Sequence, residues 1–192
     1  MELDLVASLE RFRRHGDDLM DRWDGKSFRR PFRVDGQVGA VSVRSQEAGQ
    51  LLLDVKSVSS SIPERLQARL EGMFVDGRSA LVGLAGRDPV IAVLLELHPG
   101  VFPVRYLDPL GALLAMVTAQ QVNLRLALTV RRAILTTLGG RVELGDGFVL
   151  YPDPERMAAA SAEVWAGLHL TRAKGRCLSS LGGALVTGEH SL

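Results

Sequence analysis

Two adjacent glutamines, Gln120 and Gln121, close the segment LGALLAMVTAQQ, in which Thr118 is the only other polar side chain. A primary amide donates and accepts hydrogen bonds without the desolvation cost of a charge, so such a pair suits the polar edges of an uncharged ligand. Burying an amide with no partner costs roughly 1–3 kcal/mol. Two readings follow. The pair satisfies loose carbonyls where one helix ends and the next begins, or it emerges at a groove and meets a ligand. Asn123, two residues on, is suited to cap the following helix. Gln120, Gln121 and Asn123 are the candidate binding residues.

Little else in the chain has the spacing of a reactive centre. The four histidines, His15, His98, His169 and His190, are scattered, and none lies at metal-ligand spacing from another His or Cys. No phosphate-binding loop, dinucleotide fingerprint or Ser/His/Asp set is present, so neither metal nor organic cofactor is implied. Cys177, the only cysteine, excludes an internal disulfide and fits a reducing cytoplasm; its apolar helical context suggests a small core side chain. The net charge of +1 gives no global attraction to nucleic acid, so any such surface must be local. Arg172 and Lys174 open the last helix, where they would be solvated or meet phosphate. The start of the chain becomes charged too quickly for a signal peptide. The apolar run Val90–Leu97 is too short to span a bilayer, so no membrane partner is expected.

The elements that position the glutamines divide at about residue 105. Leu3 to Trp23 reads as one charged amphipathic helix, with Leu5, Leu9, Phe12, Leu19 and Trp23 on a stripe. Three β-prone runs follow between about 28 and 58, with turn signals at Asp35-Gly36 and Ala48-Gly49 and with Pro31 favouring an edge. They predict a three-stranded antiparallel sheet. Helices at about 62–98 complete this part, one opening at Ser61-Ile62-Pro63-Glu64. Asp88-Pro89 and Asp108-Pro109 each place a capping carboxylate before a proline that loses no helical hydrogen bond. The helix from Leu110 is apolar on all sides and is expected in the middle of its domain. A helix capped by Asn123 runs to Gly139-Gly140. After it come a loop, RVELGDGFVLYP, two short helices, and a last helix from Thr171. The expected architecture is α+β: residues 1–105 carry the small antiparallel sheet and its helices, and residues 106–192 are all helical. Trp23 and Trp165 read as core anchors.

The segment from Arg87 to Gly140 resembles the middle of the helix-hairpin-helix DNA glycosylases, closest to the DNA-3-methyladenine glycosylase II branch. The family tends to show a DP-(aromatic)-E-x-L helix ending in QQ(V/I)S, then an alanine-rich helix ending at a glycine. Here the chain has Asp108-Pro109-Leu110-Gly111, then Gln120-Gln121-Val122-Asn123, then Gly139-Gly140. YPDPERMAAAS and LHLTRAKGRCLSSL resemble the family's FPTPEALAAAD and GLTRAKA. Gly111 stands where the family usually has glutamate, and Asn123 where it has serine. The resemblance implies a protein of base-excision repair that binds double-stranded DNA with damaged bases and removes alkylated bases by hydrolysing the N-glycosidic bond. It implies that Gln121 fills the space left by the extruded nucleotide and that Gln120 supports it.

The resemblance also calls for a glycine-rich hairpin turn that holds a phosphate, and for a downstream catalytic aspartate. The chain has neither: Gly145-Asp146-Gly147 reads as a turn between extended segments, and no aspartate follows Asp153. Glu155, Glu163 and Glu189 are the later carboxylates, and no catalytic residue is assigned. The helical domain is therefore expected to be incomplete at its C-terminus. The alternative function is a truncated, non-catalytic remnant that binds DNA or a protein. Exposed apolar surface around helix 110–122 would then favour self-association.

Overall fold

The computed structural model describes residues 3–14, 16–46, 50–58, 64–145 and 147–188. The N-terminal segment is not one helix. It forms α1 (Leu5–Leu9), capped by the Asp4 carboxylate, then α2 (Arg11–Arg14), and then a non-helical strap into β1 (Arg22–Trp23). Two aspartates explain the break. Asp17 Oδ1 accepts from the Leu19 amide at 2.7 Å, and Asp18 Oδ1 accepts from Met20 and Asp21, both at 3.0 Å. These side chains offer the backbone an alternative to helical bonding. The expected apolar stripe is accordingly split, with Leu5, Leu9 and Trp23 in one core and Leu19 against another.

The sheet has four strands, not three, in the order β1, β2 (Ser27–Val34), β3 (Gln37–Ser45) and β4 (Leu51–Ser57), all antiparallel. Asp35 and Gly36, at φ 50° and 74°, form the two-residue turn between Val34 and Gln37. Both angles are positive, as the tight hairpin turn requires. The turn signal at Ala48-Gly49 and the helix start at Ser61–Pro63 lie outside the described residues. The Arg33 amide leaves the sheet for Leu107 O. By alternation Pro31 points its nitrogen to the same uncovered side, where no ladder bond is lost. One face of the sheet packs Phe28, Phe32, Val41 and Val43 against Leu5, Leu9, Leu66 and Met73.

Three helices follow: α3 (Leu66–Glu71), α4 (Arg78–Ala85) and α5 (Pro89–Leu97). Neither α4 nor α5 buries a residue, and Val82, Val90, Val93 and Leu97 are all exposed. The second core is built on α6 (Pro109–Ala119) and α7 (Leu124–Leu138). Asp88 and Asp108 cap their helices ahead of proline, as their sequence context predicts. Helix α6 is not enclosed on every side. Leu110, Leu114 and Val117 are buried, but Met116 is 64% exposed. A Cβ at Gly111 would lie 3.1 Å from Met20 Sδ, so the glycine admits the strap against α6.

The back half is not all helical. RVELGDGFVLYP, read as a loop, forms the hairpin β5 (Gly139–Leu144) and β6 (Gly147–Pro152), with Asp146 outside the described residues. Val142, Leu144 and Val149 are buried with Ala40, on the second face of the main sheet. The hairpin thereby joins the sheet to the helical core. Helices α8 (Pro154–Ala159), α9 (Ala162–Gly167) and α10 (Arg172–Thr187) close the chain. Trp165 is buried in the second core and donates to Ser179 Oγ at 2.8 Å. Trp23 is buried in the first. Cys177 is exposed on α10 instead of in the core, because Gly175 and Leu178 take the buried face. No helix among the described residues is long and apolar enough to cross a membrane.

Candidate nucleic-acid interface

The glutamine pair lies in the tight junction between α6 and α7. Gln120 leaves α6 in an extended conformation, and Gln121 is left-handed at φ 58°. That region costs an L side chain other than Asn or Asp of order 1 kcal/mol. Asn123 is then extended and caps α7, its Oδ1 accepting from Leu126 N at 2.9 Å. Every residue from Ala119 to Leu126 is exposed. The side-chain amides of Gln120 and Gln121 make no hydrogen bond to a described residue. The first of the two sequence readings, amides consumed by helix-end carbonyls, is not what the structure shows. The carbonyl of Gln120 is satisfied from elsewhere: Lys174 Nζ donates to it at 2.6 Å.

That contact brings α10 beside the junction. Its cap, Thr171, accepts from Lys174 N, and Arg172 and Arg176 are exposed on its first two turns. Arg125 and Arg132 are exposed on α7. Neither α7 nor α10 contains an Asp or Glu anywhere along its length. This is the local basic surface that the net charge of +1 conceals. Cations in the first turn oppose the helix dipole. An anion at this surface would remove that penalty. Arg125 and Lys174 were not singled out as partners of the glutamines by sequence; the absence of carboxylates from both helices was the available signal.

On another side of α7 a pocket of about 540 Å³ is walled by Leu124, Leu128 and Arg131, by Tyr106, by Phe12 of α2 and by Asp18 and Asp21 of the strap. Both of its lining aspartates are held in buried ion pairs. Arg131 Nη1 reaches Asp18 Oδ2 at 2.6 Å, and Arg30 Nη2 reaches Asp21 Oδ1 at 2.8 Å. Arg30 Nη1 also donates to the carbonyl of Arg105. Burial raises the Asp21 carboxyl above its ordinary range, against the pull of Arg30. Burial likewise pushes the Tyr106 hydroxyl up to about 12, so it stays protonated at neutral pH. Sequence reading missed these pairs, whose members lie up to 113 positions apart. Glu155 and Glu163 sit in the first turns of α8 and α9, where they complement the helix dipoles. His169, at φ 61°, closes α9 by donating its amide to Ala166 O.

No protein-family model matches this sequence, and no curated protein matches it. Solved structures do match. The 3-methyladenine DNA-glycosylase from Archaeoglobus fulgidus superposes with a TM-score of 0.72 at 16% identity, over 95% of this chain and 65% of that one. The fold is that of the DNA glycosylases. MBOgg1 in complex with a low-affinity DNA ligand matches at 0.62 and 18% identity, over 90% of this chain and 56% of that one. The 8-oxoguanine glycosylase/lyase of Clostridium acetobutylicum in its apo form matches at 0.57 and 15% identity, over 90% and 68%. The glycosylase fold thus agrees with the helix-hairpin-helix superfamily that the motifs resemble. This chain spans 65% of the length of the Archaeoglobus protein.

Proposed function

We propose that this chain binds double-stranded DNA in base-excision repair, with residues 119–126 against the duplex and Gln121 as the group that fills the gap left by an extruded nucleotide. The observation that supports this best is the junction itself: a fully exposed stretch, 119–126, holding a left-handed glutamine and lying beside α7 and α10, two helices whose charged residues are all cations. Strain held at an exposed polar residue has a use where that residue must project. Arg125, Arg172 and Arg176 are placed to meet backbone phosphates, which supply affinity but no sequence preference. Extruding a base costs a few kcal/mol, least for a damaged one, and an inserted amide offsets part of that.

The damaged base is proposed to be alkylated, on the strength of the motifs and of the match to a 3-methyladenine DNA-glycosylase. The reaction is hydrolysis of the N-glycosidic bond, which needs a carboxylate beside the sugar to stabilise the developing positive charge. Glu155 and Glu163 serve as helix-terminal charges, so no carboxylate after Asp153 among the described residues is offered for that role. A second reading is a chain that binds damaged duplex through residues 119–126 without releasing the base.

Two measurements test these statements. Gln121→Ala is expected to weaken binding to lesion-containing duplex more than binding to intact duplex, measured by fluorescence anisotropy at one salt concentration. Equal losses on the two duplexes remove the role given to Gln121. Release of 3-methyladenine or hypoxanthine from DNA by this polypeptide would overturn the non-catalytic reading.

A further inference from the structure

We infer that β4 pairs with β4 of a second copy of this chain, antiparallel and centred on Val55, so that two four-stranded sheets join edge to edge. β4 is the last strand in its sheet and pairs only with β3. The Val58 amide donates to Val38 O and the Gln46 amide to Gln50 O, both at 2.8 Å. In an antiparallel pair the bonded positions alternate. Leu52, Asp54 and Lys56 therefore turn their backbone groups to β3, and Leu53 and Val55 turn theirs off the sheet. The backbone N–H and C=O of Leu53 and Val55 have no hydrogen bond to a described residue. Unpaired groups in such a row are a template for another strand. Leu52 and Leu53 are 45% and 42% exposed, so the edge is apolar as well as unpaired.

The charges on β4 select the occupant. Asp54 and Lys56 are exposed, share one face by alternation and make no ion pair among the described residues. Pairing one β4 with another through Leu53 and Val55 allows few registers. With Asp54 opposite Asp54, or Lys56 opposite Lys56, like charges meet directly, which is destabilising. With Leu53 opposite Leu53, the two charges face Leu52 and Gln50, which carry none. With Val55 opposite Val55, Asp54 of each copy lies against Lys56 of the other. The two Val55 residues then exchange both backbone bonds. Such an edge is self-complementary, as a twofold dimer requires. The other face of the strand adds apolar contact. Leu53 and Val55 line a groove of about 470 Å³ with Leu66 and Leu70 of α3. In this register the two Val55 side chains adjoin on that face, and each groove receives apolar atoms from the other copy. Nothing in the pairing depends on DNA binding.

Sedimentation velocity of the full chain, from about 5 to about 500 µM, tests the inference. A pair of seven-residue strands is a small interface, at the weak end of a range that begins at about 1,200 Å². Half-association is therefore expected between about 10 and about 100 µM, with no species larger than a dimer. Val55→Pro removes an amide that points off the sheet and no bond to β3. It should weaken the dimer at least about tenfold with the far-UV spectrum unchanged. Asp54→Lys sets lysine against Lys56 in both cross-strand pairs and should weaken the dimer about tenfold. Combining Asp54→Lys with Lys56→Asp restores opposite signs and should return the association to within about threefold of the original. This charge exchange decides independently of how well Val55→Pro folds. A monomer throughout the range, a dimer unaffected by a folded Val55→Pro, an exchange variant no tighter than Asp54→Lys, or growth beyond a dimer overturns the inference.

Discussion

Asp18→Ala tests how the strap is held. Its carboxylate does two things. Oδ2 bonds Arg131 at 2.6 Å, and Oδ1 accepts the amides of Met20 and Asp21. Without it, Arg131 keeps only the long 3.4 Å contacts to Thr118 Oγ1 and Ala115 O, and its side chain is 7% exposed. Stranding one partner of a buried ion pair costs about 3–5 kcal/mol. Two lost amide acceptors add about 1 kcal/mol each. The total, about 5–7 kcal/mol, rivals the whole stability of a typical domain, about 5–15 kcal/mol. Asp18→Asn retains Oδ1 and should cost about 2 kcal/mol less than the alanine. Pairing Asp18→Asn with Arg131→Met removes both charges, so the double variant should be more stable than the sum of its singles predicts. Urea unfolding monitored by the fluorescence of Trp23 and Trp165 provides the free energies. A loss under about 1 kcal/mol for Asp18→Ala, or an additive double variant, would refute the assignment of the strap's stability to this pair.

Gln121→Gly should raise stability by about 1 kcal/mol by releasing the left-handed strain, seen as a higher urea midpoint, while abolishing the preference for lesion-containing duplex; a loss of stability would contradict the backbone argument. The pH response of Asp108 has a definite sign. Burial raises its carboxyl despite Arg33, whose Nε lies 3.6 Å away, an electrostatic contact too long for a hydrogen bond. With the folded value above the unfolded one, its contribution to stability is full below the unfolded value of about 3.9 and is lost as pH rises through the folded value. Asp108→Asn keeps the cap on α6 and removes this titration. The stability of the wild type relative to Asp108→Asn should therefore grow between about pH 7 and about pH 4.

What local chemistry dictates was legible from the sequence. Asp88-Pro89, Asp108-Pro109 and Asn123 mark helix starts because a capping oxygen needs no distant partner. Asp35-Gly36 marks its turn for the same reason. The glutamine pair was legible as a conflict between polarity and an apolar run, and the structure resolves it by exposing both residues. The N-terminal helix was misread because Asp17 and Asp18 count as helix-compatible by periodicity, although their carboxylates bond the amides that follow them. The hairpin of β5 and β6 was missed although Val142 and Leu144 alternate with Arg141 and Glu143; its buried face is defined by Ala40, a hundred residues away in β3. The ion pairs of the pocket were invisible for the same cause. Asp21, Arg30, Asp18 and Arg131 are ordinary charges until folding brings them together. Cys177 was placed inward by its apolar neighbours, whereas the turn of α10 faces it outward.

The strap and the first two strands are fastened to partners made more than a hundred residues later. Arg22 donates to Phe148 O, Arg33 to Pro152 O and Arg131 to Asp18. A ribosome delivers the N-terminus first, yet these distant partners do not exist until α7 and β6 have emerged. Contacts so remote in sequence form late, because their loops must close before any bond rewards the closure. The buried Asp18 therefore waits in water for Arg131 through most of synthesis, and the pocket it helps to wall comes into being as one of the last steps of folding.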